Sequence, residues 1–169
     1  MLSEMSSFLM VLTGGYSIHE AYRFWRDQRF YRNLTGEVYG ASMYKKGPES
    51  DRLFRGKVDS MCTAVRDSVN RQVDVGRLNI DEGQILKRQI DDLSKENRYS
   101  PRGKYWKVRY WTRRKLKKQD RGAVDSLGLA TSLLNSGNPD SLREECSVAI
   151  ESAREALTKR SLLVTSAER

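Results

Sequence analysis

The sequence predicts a mainly α-helical protein, built as a helical hairpin with flanking amphipathic helices. Three observations favour this class. Apolar residues recur every three or four positions over long stretches, which is the period of one helix face. Three of these stretches follow a Ser or Asp with a Glu or Gln three residues later, a pattern that caps a helix start. Glycine and proline clusters separate the stretches.

The helical hairpin is expected to extend from Ser50 to Asn97. Its first helix ends near Val73, with Gly76 as its stop. Its apolar face consists of Leu53, Phe54, Val58, Met61, Cys62, Val65, Val69 and Val73. The second helix follows a capping pair, Asp81 and Gln84, and has Ile85, Leu86, Ile90 and Leu93 on one face. Because few residues join the two helices, an antiparallel pair is expected.

Helices are also predicted on either side of the hairpin. An aromatic helix runs from Ile18 to about Leu34, after a capping box at Ser17 and Glu20. The last helix starts at a capping box of Ser141 and Glu144 and runs to about Arg160. Its inward residues are Leu142, Cys146, Ala149, Ile150, Ala153 and Leu157.

The excess positive charge lies in one stretch of the chain. The 169 residues carry a formal net charge of +9. Residues 98–121, here called the basic segment, hold eleven Lys or Arg and one acid, Asp120, which leaves 20 basic and 21 acidic residues elsewhere. Such a concentration indicates an anionic ligand. Three parts are therefore expected: a helical domain at 1–97, the basic segment at 98–121 and a C-terminal helical segment at 122–169.

Cations and aromatic rings alternate within the basic segment. Cationic side chains neutralise phosphates, and aromatic rings stack on bases. This combination predicts a nucleic-acid-binding site, with RNA favoured over DNA and single strands favoured over duplexes. The expected binding residues are Arg102, Lys104, Tyr105, Trp106, Lys107, Arg109, Tyr110, Trp111, Arg113, Arg114, Lys115, Lys117 and Lys118. The four aromatic residues can also be explained as core or interface anchors, and that alternative stays open.

The conformation of the basic segment is ambiguous from the residues alone. Alternation over 104–112 suits a strand, which would pair with a short strand at 38–44. Residues 113–119 contain no helix breaker and suit a helix. The neighbouring helices favour a helix overall.

Catalytic and metal-site signatures are missing from the sequence. His19 is the single histidine, and the cysteines, Cys62 and Cys146, lie far apart and read as buried thiols. Gly14-Gly15 has no following Lys-Ser or Lys-Thr, as a phosphate-binding loop requires. We therefore expect a non-enzymatic protein with no cofactor and no metal. The apolar run at 8–12 is too short to span a bilayer. A soluble intracellular protein is expected, nuclear in a eukaryote or a virus of one, or packaged in a virion.

Two classes of function fit these observations. The first is a non-catalytic RNA- or DNA-binding protein, for example a viral or phage RNA-binding or packaging protein. The second is an assembly or adaptor protein, such as a matrix, capsid-associated or scaffolding subunit, whose basic segment meets an acidic partner or an anionic membrane. One-sided helices that close only in a homo-oligomer favour the second class. A membrane surface is disfavoured because no broad apolar face joins Trp106 and Trp111.

Overall fold

The part of the protein that the structure describes is almost entirely helical, which confirms the mainly α class. The computed structural model describes residues 22, 26, 29–36, 48–99, 110–136, 138 and 141–166, and no strand occurs among them. The chain divides into two compact units, Met1–Gly40 and Ala41–Arg169. In the first unit, residues 29–35 form helix α1. The second unit contains α2 (Pro48–Asp74), α3 (Ile80–Tyr99), α4 (Tyr110–Ser136) and α5 (Leu142–Ser166).

The four helices of the second unit pack around a common core. Helix α2 contacts α3 and α4, and α5 contacts the same two helices. The start of α2 lies against the end of α3, where Arg55 Nη1 donates to the carbonyl oxygen of Asn97 at 2.5 Å. The end of α5 lies beside the first half of α4, since Arg160 Nε donates to Asp120 Oδ1 at 2.6 Å. Helices α2 and α4 therefore start at one end of the unit, and α3 and α5 finish at the same end.

The core follows the helical period of the sequence. Six of the eight apolar residues expected on α2 are buried, while Met61 and Val73 are half-buried. All six residues expected to face inward on α5 are buried, and α5 continues beyond Arg160 to Ser166. Ile85 of α3 was expected inward but is 39% exposed. It lies about 100° from Leu86 around the helix, outside the narrow stripe that meets the core.

The connection between α2 and α3 is fixed by backbone hydrogen bonds and side-chain caps. Gly76 has φ +73°, and Arg77 N donates to the carbonyl of Gln72 at 2.9 Å, which forms a Schellman end to α2. The start of α3 is capped reciprocally. Asn79 Oδ1 accepts from Glu82 N at 2.8 Å, and Glu82 Oε2 accepts from Asn79 N at 3.0 Å. The predicted cap at Asp81 and Gln84 was therefore two residues too late.

Helix α4 resolves part of the ambiguity in the basic segment. Residues 110–112 are helical, so the strand alternative for 104–112 is wrong over those residues. Residues 38–44 and 104–109 lie outside the described residues, as does the capping box expected at Ser17 and Glu20. The helix continues through Gly122 and Gly128 to Ser136.

Candidate nucleic-acid interface

The described part of the predicted site lies in the first three turns of α4. Arg102, Lys104, Tyr105, Trp106, Lys107 and Arg109 fall outside the described residues. Tyr110 and Trp111 form the start of the helix. The remaining predicted site residues follow them on α4: Arg113, Arg114, Lys115, Lys117 and Lys118. The structure thus brings five of the predicted cations together on one helix.

Two buried residues fix the orientation of this part of α4. Leu116 and Asp120 are both 0% exposed and are spaced one turn apart, so they hold one side of the helix against the core. Four cations are exposed on the other sides, and we call them the α4 cationic face: Arg114, Lys115, Lys118 and Arg121. Arg113 and Lys117 are half-buried at its border and make further interactions.

The electrostatic environment of the α4 cationic face is strongly positive. The amino end of a helix carries a partial positive charge, and the first turn of α4 contains no acidic residue to offset it. Within the described part of the chain, no acidic side chain lies within ion-pair distance of Arg114, Lys115 or Lys118. These cations therefore repel one another and are repelled by the positive amino end of the helix, and a bound anion would relieve that repulsion.

The single acid of the basic segment does not neutralise this face. Asp120 is buried and paired with Arg160, whose Nη2 also donates to Asp51 Oδ1 at 2.5 Å. The Arg160 guanidinium lies 4.6 Å from the centre of the Phe54 ring, close enough for a cation–π contact. This pairing was not predicted from the sequence. One feature of the sequence could have indicated it. The positions of Leu116, Asp120, Ala123 and Leu127 follow one another at spacings of four, three and four, which places Asp120 on the same buried face as the three apolar residues.

The pairing belongs to a larger network that links all four helices of the second unit. Asp51 Oδ2 accepts from Arg55 Nε at 2.8 Å, and Arg55 also reaches the carbonyl of Asn97 at the end of α3. We call this network the end clamp and define it by Asp51, Arg55, Asn97, Asp120 and Arg160. It fixes the end of the unit at which α4 exposes its cations.

The two cysteines lie in the core and are poor nucleophiles. Burial, and then the nearby Asp59 carboxylate, raises the pKa of Cys62 to about 12. Burial, with a smaller effect of Glu145, raises the pKa of Cys146 to about 11. Both thiols are therefore neutral near pH 7. In the described residues, no group of three or more His, Cys, Asp or Glu is placed to hold a metal ion.

Comparison with known proteins finds no matching family model, curated protein or solved structure. Among the described helices, none combines the length and the apolar character needed to cross a membrane.

Proposed function

We propose that the protein is a non-catalytic nucleic-acid-binding protein that acts through the basic segment. Its cations bind phosphates, and Tyr105, Trp106, Tyr110 and Trp111 stack on bases. RNA is favoured over DNA because interleaved cations and aromatic rings suit unpaired bases. The observation that carries the proposal is the α4 cationic face, which is exposed and has no acid beside Arg114, Lys115 or Lys118 in the described part of the chain.

Phosphate binding explains why so much positive charge is concentrated on one helix. Exposed cations that contact phosphates release condensed counterions, and this release drives binding at low salt. A solvated surface that served only solubility would mix the two signs of charge. The end clamp attaches the first half of α4 to α2 and α5 where like charges crowd its surface, which suits an interface maintained for a ligand.

The test of this function is binding across a salt series. We expect the protein to shift RNA and DNA oligonucleotides in a gel at low salt and to lose affinity steeply as salt increases. The combined Lys115→Glu, Lys117→Glu and Lys118→Glu changes should abolish the shift. A matched control reverses three cations of α3: Lys87→Glu, Arg88→Glu and Lys95→Glu. Absence of binding at low salt, or equal losses in both variants, would contradict the proposal.

An assembly or adaptor role is the second candidate, favoured by exposed apolar side chains in the second unit. Leu129 of α4 is 54% exposed, and Val148 and Leu162 of α5 are 70% and 66% exposed. Such residues can pack against a partner, including a second copy of the chain. A mass that rises with concentration, together with no affinity for nucleic acid, would favour this role.

The proposed function also carries an expectation about location. Arg114-Lys115-Leu116-Lys117 matches the loose basic pattern of nuclear import signals. In a eukaryote, or a virus of one, we propose that the protein acts in the nucleus or is packaged with nucleic acid in a virion. Leu116 is buried, so an import receptor would have to read the pattern from the cations alone.

A further inference from the structure

We infer that the α4 cationic face binds the sugar-phosphate backbone of a double helix, without reading its sequence. The inference rests on the proposed function and assigns a ligand class to one part of the basic segment. It differs from the sequence-based expectation, which favoured single strands for the segment as a whole.

Between Thr112 and Arg121, the exposed side chains of α4 offer no stacking surface. Within 112–121, the exposed residues are the four cations of the face, and the half-buried ones are Thr112, Arg113, Lys117 and Gln119. Single-strand binding relies on aromatic faces for successive bases, together with a charged groove. A surface that offers only cations gains affinity from phosphate charge alone. A duplex carries more of that charge per unit length than a single strand.

The spacing of the cations suits a rigid backbone. Arg114, Lys118 and Arg121 follow one another along the helix at four and three residues, or about 6 Å and 4.5 Å of rise. Lys115 lies to one side of this row. The row spans about 10 Å, or roughly three base-pair steps of one duplex strand, so three or four phosphate contacts are expected.

The fold keeps this spacing fixed before any ligand binds. The buried Leu116 and the ion pair between Asp120 and Arg160 hold α4 on the core directly beneath the cations. A row of cations on a fixed helix gains most from a ligand whose phosphates are also fixed, because the binding cost is then mainly the ordering of side chains and not of either backbone.

The test compares duplexes with single strands of the same length. The full chain is titrated into fluorescein-labelled 16-base-pair DNA and RNA duplexes of two unrelated sequences, and into an unstructured 16-nucleotide strand of each chemistry. Anisotropy is recorded from low to physiological salt. The wild type should bind the two sequences of a given duplex with affinities within a few-fold of each other. Comparison of the DNA and RNA duplexes shows which double helix it prefers.

The decisive variant combines Arg114→Gln, Lys115→Gln and Lys118→Gln. On duplexes, it should make the fall of log affinity with log salt less steep by about 2 to 3, since each lost phosphate contact removes about 0.9 from the steepness. The single-strand slope should change by less than about 1, because that binding depends on the aromatic half of the segment. The control Lys87→Gln, Arg88→Gln and Lys95→Gln removes the same charge from α3 and should change the duplex slope by less than about 1.

The outcomes separate this inference from the proposed function. Binding that is tighter to single strands overturns the duplex assignment and leaves the proposed function intact. Equal losses in the α4 and α3 variants overturn both, because the basic segment would then not be the binding site. Strong dependence on duplex sequence also overturns it. Failure of the wild type to bind any probe at low salt overturns both. Circular dichroism and urea unfolding of each variant confirm that the surface changes leave the fold in place.

Discussion

Arg160 is the residue on which the end clamp depends. Its guanidinium is 2% exposed and pairs with two carboxylates from different helices, Asp51 of α2 and Asp120 of α4. A buried carboxylate that loses its partner retains the cost of desolvation without the compensating attraction. Removal of one side chain would therefore leave two buried acids without their principal cation, although Arg55 still reaches Asp51.

We predict that Arg160→Met lowers the free energy of unfolding by about 3–5 kcal/mol, the range for breaking a buried ion pair. Methionine keeps much of the volume of the side chain and removes the charge. Urea denaturation followed by circular dichroism measures the effect. Lys159→Met is the matched control, because Lys159 is the exposed neighbour and, among the residues that the structure describes, pairs only with Glu155, one turn away on α5. Its change should stay within about 0.5 kcal/mol. Similar losses in both variants would argue against the end clamp as a stabilising unit.

At the scale of single helices, two glycines show how closely α2 and α3 approach. Gly83 is buried on α3, and a Cβ placed there would lie 2.5 Å from Cγ2 of Val73 on α2. Gly56 lies exposed on α2, and a Cβ there would meet no atom within 4 Å. Gly83 permits a close contact between α2 and α3, whereas Gly56 only lowers the helix propensity of α2.

We predict opposite effects of alanine at these two glycines. Gly56→Ala should raise the free energy of unfolding by about 0.5–1 kcal/mol, because alanine favours the helix. Gly83→Ala should lower it by about 1 kcal/mol, since overpacking of 1–3 kcal/mol exceeds the same helix gain. Chemical denaturation of both variants measures the difference. A stabilised Gly83→Ala protein would show that α2 and α3 can separate without loss.

The helices were largely predictable from the sequence because their signals are local. The apolar period placed Phe54, Val65 and Ile150 in the core, and Gly76 correctly marked the end of α2. The cap of α3 was misplaced because two patterns of similar form overlap, and only backbone geometry shows which one engages.

The end clamp could not be predicted in the same way. Its ion pairs join residues 109 and 40 positions apart in the chain, so they depend on which helices become neighbours. The candidate site was predicted in part. The concentration of cations is visible in the sequence, whereas the buried pairing of Asp120 and the exposed arrangement of four cations on α4 require the fold.

At the scale of the whole molecule, the second unit contains a complete set of packed helices. Its consecutive helices α2 and α3, and likewise α4 and α5, contact each other extensively, and all members of the end clamp lie within residues 41–169. Most of its core contacts are therefore made inside this unit.

We predict that residues 41–169 fold alone. The fragment should give a helical circular dichroism spectrum and a single cooperative urea transition, as a unit with its own core does. The same fragment carrying Arg160→Met serves as a control and should unfold at lower urea. A fragment that is unfolded in the absence of denaturant would show that residues 1–40 are required for stability.

The charges of the end clamp are buried, whereas those of the α4 cationic face are exposed to dissolved salt. Mobile ions screen exposed charges over about 10 Å at 0.1 M salt, but they act much less on buried pairs. Added salt should therefore weaken the grip on an anionic ligand before it disturbs the pair of Asp120 and Arg160. Ionic strength can then act as a reversible release signal, because a salt pulse would free the ligand from a protein that stays folded and ready to rebind.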